Sequence, residues 1–214
     1  TLRNGLRLFF FFNKDEPRVY TEIAVRAGSK HDPADTTGLA HYFEHMMFKG
    51  TARYPKGSFS RIIRKNGGID NAFTGQDFTA YFENVAADRV GLALELEADR
   101  MQGLLLDHGE FQTERDVVKE ERRLRSEDDP QGALVEALFA QVFMSHPYHW
   151  PVIVWFADLD AMAIEDLQRH YDTFYSPNNA TLIVVGDIKA DSLLPIIKRL
   201  FEPIPRGPSP KQAL

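Results

Sequence analysis

The hydrophobic pattern alternates between two periods along the chain. Leu6–Phe12 (LRLFFFF) is a short apolar run closed by Asn13-Lys14-Asp15, which predicts a buried strand. From Val19 to Ala27 the odd positions Val19, Thr21, Ile23 and Val25 alternate with Tyr20, Glu22, Ala24 and Arg26, the period of a half-buried strand. Asp32-Pro33 and Asp35-Thr36-Thr37-Gly38 form turn and N-cap chemistry ahead of a helix from about Gly38 to Phe48. A second helix is predicted over Ser58–Lys65, stopped by Asn66-Gly67-Gly68. Phe73–Val85 returns to period two, with Phe78, Ala80 and Phe82 set against Thr79, Tyr81 and Glu83.

The second half of the pattern is mostly helical. A long helix is predicted from about Asp88 to Leu106, with Val90, Leu94, Ala98, Met101 and Leu105 on one stripe. Others follow at about Phe111–Ser126, Ala133–Met144, Ile164–Phe174 and Leu193–Phe201. Between them lie an aromatic loop, His146–Trp155, and a wholly apolar strand, Ala180–Val185, expected inside a sheet. Pro203–Pro210 carries four Pro and a Gly and reads as an extended linker. Strands and helices mix without strict alternation, so the class is α+β.

Composition narrows the functions. The 214 residues are 43% hydrophobic, enough for one domain-sized core and too apolar for disorder. The net charge of −6 argues against nucleic acid, and no apolar run is long enough to span a bilayer. Cysteine is absent, which removes disulfides, thiolate zinc ligands and thiol nucleophiles. Thr1 in place of Met reads as the start of a trimmed piece.

One motif carries the candidate chemistry, His41-Tyr42-Phe43-Glu44-His45. At about 100° per residue, His41, Glu44 and His45 leave a helix within one arc of about 100°. Two imidazoles one turn apart can grip a zinc ion while the carboxylate between them reaches a water beside it. The plain alternative is two surface histidines beside a solvated Glu. A catalytic zinc wants a third ligand, and without Cys it must be His, Asp or Glu. Glu114 and Glu121, seven residues apart on one helix face beside Val117, Val118 and Leu124, are the candidates. Salt bridges to Arg115, Arg122 or Arg125 are the competing explanation, and Glu120 points away toward solvent.

Further motifs follow in order: Phe48-Lys49-Gly50-Thr51, Gly67-Gly68-x-x-Asn71-Ala72-x-Thr74, Glu114-Arg115-x-Val117-Val118-x-x-Glu121, Tyr175-x-Pro177-x-Asn179-Ala180 and Gly186-Asp187. With His41-x-x-Glu44-His45 in inverted zincin order, the chain resembles the pitrilysin (M16) family of zinc metallopeptidases from about Asn4 to Pro205. The resemblance implies a mixed, mostly antiparallel sheet covered by helices on one face. It implies one zinc ion per chain on His41, His45 and Glu121, with Glu44 as general base and Glu114 supporting the site from behind. Asn71, Ala72, Phe73 and Thr74 match the edge strand that pairs with a peptide substrate. The family is built from paired homologous domains, so residues 1–202 are expected to be the zinc-bearing domain, and 203–214 a link to a second one in the same or another chain. Alone, such a domain is expected to be weakly active or inactive. Similarity to large bacterial members points to the periplasm, with the cytoplasm as the alternative. His149-Trp150 and Val154 depart from the pattern after His146-Pro147-Tyr148; His146 and His149 read as loop packing.

Two other readings compete with peptide cleavage. A non-catalytic scaffold or partner subunit of the same family usually lacks a ligand or the base, and all four positions stand here. A lyase of similar fold that also carries His-x-x-Glu-His relies on a cysteine, which this chain lacks.

Overall fold

In a computed structural model describing residues 1–210, five strands form one sheet in the order β1-β5-β2-β4-β3. The strands are β1 (Arg7–Phe12), β2 (Arg18–Val25), β3 (Ile69–Thr74), β4 (Thr79–Ala86) and β5 (Ala180–Gly186). Every pairing is antiparallel except β1 with β5. The helices are α1 (Leu39–Met46), α2 (Ser58–Lys65), α3 (Val90–Gly103), α4 (His108–Arg122), α5 (Pro130–Val142), α6 (Phe156–Ala161), α7 (Ile164–Phe174) and α8 (Ala190–Phe201). The main core lies between helices α1, α3, α4, α6, α7 and α8 and the sheet face that carries Val19, Ile23, Val25, Tyr81, Leu182 and Val184. The fold is the expected α+β arrangement.

Three sequence expectations need correction. Leu6–Phe12 is not a buried strand: β1 is an edge, and Phe9, Phe11 and Phe12 are 51%, 58% and 60% exposed, while Leu8 and Phe10 pack on the core. An apolar run does not by itself require cover on both faces. Phe73–Val85 is two strands, not one, because Gly75–Phe78 turns the chain and Gly75 N–H donates to Phe78 C=O at 2.9 Å. Leu105 leaves the apolar stripe, since α3 stops at Gly103 and its side chain is exposed. Helix α6 falls between the loop His146–Trp155 and the helix from Ile164, where the sequence pattern assigns no element.

On β4 the buried positions are Thr79, Ala80, Tyr81, Glu83 and Val85. Glu83 is tolerated there because Thr21 Oγ1 donates to its Oε2 at 2.6 Å and Arg100 of α3, which forks onto Glu97, comes within 3.7 Å. Its guanidinium also stacks over Phe48, Phe59 and Tyr81. Burial, reinforced by Glu97, raises the Glu83 carboxyl well above its usual range.

The beginning of α1 is built by a distant carboxylate. Gly38 at the N-cap has φ +78°, and a Cβ there would stand 2.1 Å from Val154 Cβ. With no side chain at that position, Asp32 Oδ2 accepts from Gly38 N–H at 2.8 Å and Oδ1 from Ala40 N–H at 3.0 Å, all buried. Asp32→Ala leaves both amides without an acceptor and is expected to cost about 2–4 kcal/mol in urea unfolding. Asp32→Asn, which retains one good acceptor, is expected to lose about half of that.

Beyond α8, residues 203–210 have no regular secondary structure. Ile204 nevertheless sits in the core, and Asn178 is bonded to both Gly207 N–H and Pro208 C=O. Residues 211–214 of the expected linker lie outside the described residues.

Candidate metal centre

Helix α1 presents His41, Glu44 and His45 toward α4 and the end of β3. The two helices are locked by stacking of Tyr42 on Phe111, with centroids 5.2 Å apart, and by a hydrogen bond from Tyr42 Oη to Phe111 C=O. This clamp sets Glu114 and Glu121, two turns apart on α4, against the histidines. Phe43, one position from Glu44, fixes the other side of α1 among Tyr171 and Tyr175.

His41, His45 and Glu121 each offer one ligand atom, and these atoms lie within 4.8 Å of one another. Glu121 Oε2 stands 3.5 Å from His41 Nε2 and 3.1 Å from His45 Nε2, yet it is buried and accepts no aligned hydrogen bond. An orphaned carboxylate oxygen facing two imidazole nitrogens suits a divalent cation of zinc type. Behind them, Glu114 Oε1 is 2.9 Å from His45 Nδ1, and its other oxygen takes a hydrogen bond from Lys49. A carboxylate on the far ring nitrogen fixes the tautomer that leaves Nε2 free for metal.

The electrostatics follow from these contacts. Burial pulls His41 down to about 4, helped by His45 and opposed by Glu121. Burial also pulls on His45, but its hydrogen bond to Glu114 and the adjacent Glu121 carboxylate outweigh it and hold the ring at about 9. His45 and Arg125 keep the Glu121 carboxyl below its usual range against burial, and His45 and Lys49 do the same for Glu114. Glu44 goes the other way, raised by burial and partly restrained by a 2.5 Å hydrogen bond from Thr74 Oγ1. Thr74 Oγ1 lies 3.2 Å from Thr79 Oγ1, which donates to Ala27 C=O at 2.7 Å, so the sheet holds the carboxylate.

These groups open into a cleft of about 620 Å3, walled on one side by α2 and β3 and on the other by Arg125, Val152 and Ile153. Asn71, Ala72, Phe73 and Thr74 all line it. β3 is an edge strand, paired among the described residues with β4 alone, and the Ala72 amide is bonded to its neighbour's Asn71 Oδ1 at 2.9 Å.

The α4 stripe is less apolar than its sequence suggests, because Val117 and Leu124 are exposed and only Val118 is buried. The three arginines separate cleanly. Arg125 Nε pairs with Glu121 Oε1 at 3.1 Å, Arg115 donates to Met162 C=O, and Arg122 forks onto Glu136 and reaches Ile153 C=O at 2.9 Å. Glu120 is exposed beside Arg123. His146 and His149 stay in their loop, bonded to Tyr148 N–H and Met144 C=O. Sequence reasoning assigned no role to Lys49 and named Thr74 only as a substrate contact. The wall made by Arg122, Glu136 and Ile153 carries no sequence signal, because its partners lie 14 and 31 residues apart.

The chain is similar to known proteins over nearly its whole length. The sequence model described as insulinase (peptidase family M16) matches residues 11–153, and that described as the peptidase M16 inactive domain matches residues 161–214. The chain is 34% identical over 203 residues to a protein named zinc protease PqqE of Helicobacter pylori, covering 94% of this chain and 46% of that protein. It is 29% identical to the uncharacterized zinc protease YmxG of Bacillus subtilis, covering 94% of this chain and 49% of that one. The crystal structure of a protease from Helicobacter pylori superposes with a TM-score of 0.94 at 33% identity, over 100% of this chain and 51% of that chain. The chain thus spans about half the length of the relatives it matches. The segment from residue 161 onward, which takes in α7, β5 and α8, matches a second model of the same family although β5 lies inside the one sheet. With more than half of its length matched by the first model, the chain belongs to the insulinase family of peptidases, peptidase family M16.

Proposed function

We propose that this chain is the zinc-bearing half of a zinc-dependent endopeptidase. The observation that carries the reading is the orphaned Glu121 Oε2 facing His41 Nε2 and His45 Nε2, with Glu44 alongside. His41, His45 and Glu121 would hold one zinc ion per chain. Bound there, zinc supplies a Lewis acid that polarises a scissile carbonyl and acidifies an attacking water.

The remaining steps belong to side chains. Thr74 occupies Glu44 Oε2, which leaves Oε1 to take the water's proton and hand it to the leaving amine. Burial raises the basicity of Glu44 and so strengthens it as proton acceptor near neutral pH. Glu114 orients His45 through Nδ1. Glu114→Ala is expected to weaken zinc affinity by about 10–100-fold without abolishing the site, read by competition with a chromogenic chelator.

Substrate would bind as a strand added to β3 at Asn71–Thr74, through main-chain hydrogen bonds. The Asn71 side chain must then give up the Ala72 amide to the incoming peptide. We read residues 1–202 as the zinc-bearing domain and 203–214 as the link to a second homologous domain, which completes the walls of the cleft. By itself the first domain would position substrate poorly and hydrolyse weakly. The test is to incubate the zinc-loaded full protein with extended peptides and identify the products by mass spectrometry. Cuts at internal bonds support the proposal; removal of terminal residues only, or no cleavage, contradicts it.

A further inference from the structure

We propose that Arg125 is a specificity-determining residue that receives a carboxylate of the peptide substrate, an inference that rests on the peptidase reading above. Arg125 lies in a π-helical turn, Arg123–Glu127, that continues α4 directly after the metal-facing Glu121. Asp128 N–H closes this turn on Arg123 C=O at 2.8 Å. Gly132 of α5 lies so close that a Cβ there would stand 2.0 Å from the Arg125 carbonyl oxygen. The backbone under the side chain is therefore fixed from both sides, and π-turns of this kind recur at functional sites.

From that base the guanidinium turns back over the metal cluster. Nε bonds Glu121 Oε1 at 3.1 Å, the one polar partner Arg125 has among the described residues. The Nη atoms are left without acceptors, and the side chain is 69% exposed at the rim of the cleft. Its charge acts on His41, Glu44 and Glu121 together, as its pairing with Glu121 at the mouth of the cleft requires. Other acids of the cleft already have partners: Glu114 has Lys49, Asp70 has Ser60, and Glu44 has Thr74. Arg125 also borders a second, adjoining cavity against α5 and Trp150, so it lines the cleft on both sides of the rim. A planar fork with two free N–H donors matches a carboxylate bidentately, which a mere helix-surface ion pair with Glu121 would not require.

The carboxylate can belong to an Asp or Glu side chain or to the free C-terminus of a short peptide. Three matched peptides separate these sources in the zinc-loaded full protein: one with an internal Glu and an amidated end, one with Gln in its place, and one with Gln and a free C-terminal carboxylate. The wild type is expected to favour one carboxylate-bearing peptide over the uncharged one in kcat/KM, mainly through KM. Arg125→Ala is expected to collapse that ratio by about 10–100-fold toward unity at unchanged zinc content, with Arg125→Lys in between because it keeps the charge and loses the fork. A wild-type ratio near unity, or a ratio that survives Arg125→Ala, overturns the proposal. An equal fall for all three peptides also overturns it, because Arg125 would then act through Glu121 or on the transition state. If the wild type cleaves none of them, the peptidase reading fails. Fluorescence anisotropy of the same peptides on the Glu44→Gln protein then decides Arg125 separately, by whether Arg125→Ala weakens the carboxylate-bearing peptide alone.

Discussion

Glu44→Gln is expected to keep its zinc and lose peptide hydrolysis by about 10^2–10^4-fold, ~3–5 kcal/mol of barrier. The side chain is isosteric and its Oε can still accept from Thr74, so the local structure is preserved. What disappears is the basic oxygen that accepts a proton from the attacking water. Glu44 is not among the three convergent ligand atoms, so metal content should match wild type. Rates on one internally quenched peptide, taken beside zinc analysis of the same samples, check both halves. Near wild-type turnover would remove Glu44 from the role of base; a loss of zinc equal to the loss of rate would make it a ligand.

The second large effect is on metal affinity. Glu121→Ala removes the only oxygen donor of the convergent set and should weaken zinc binding by more than the roughly 10–100-fold expected for Glu114→Ala. It also frees Arg125, whose charge then faces the two imidazoles without compensation. In the parent chain His45 carries a proton near neutral pH because Glu114 hydrogen-bonds it and the Glu121 carboxylate stands beside it, and metal entry must displace that proton. Zinc binding should therefore release protons measurably in weakly buffered calorimetry, and less so in Glu121→Ala. Full zinc retention by that variant would mean that the third donor lies elsewhere.

How much of this was legible without coordinates depends on how far the interacting residues stand apart. His41, Glu44 and His45 lie within five positions, so helical periodicity alone places them on one arc. Glu114 and Glu121 share a second arc, but that α4 lies against α1 is decided by Tyr42 and Phe111, 69 residues apart, and no local pattern reports such a pair. Strand β1 was misplaced because continuous apolarity looks the same on an uncovered edge and in a buried centre. β4 shows the converse: its buried face holds Thr79 and Glu83, and partners distant in sequence, Ala27 for the first and Thr21 with Arg100 for the second, make that tolerable. Arg125 was foreseen as a partner for the α4 acids. Its two unbonded Nη atoms depend on the π-turn and on Gly132, neither of which hydrophobic periodicity reveals.

A single-zinc peptidase centre on His41, His45 and Glu121 is tested most directly by titrating the metal-stripped full protein with zinc while following the initial rate on one peptide. The rate should rise from baseline in proportion to zinc and level off at one equivalent, with Glu121→Ala needing far more metal to reach any plateau. A rate independent of zinc, or one that climbs identically in Glu121→Ala, would contradict it.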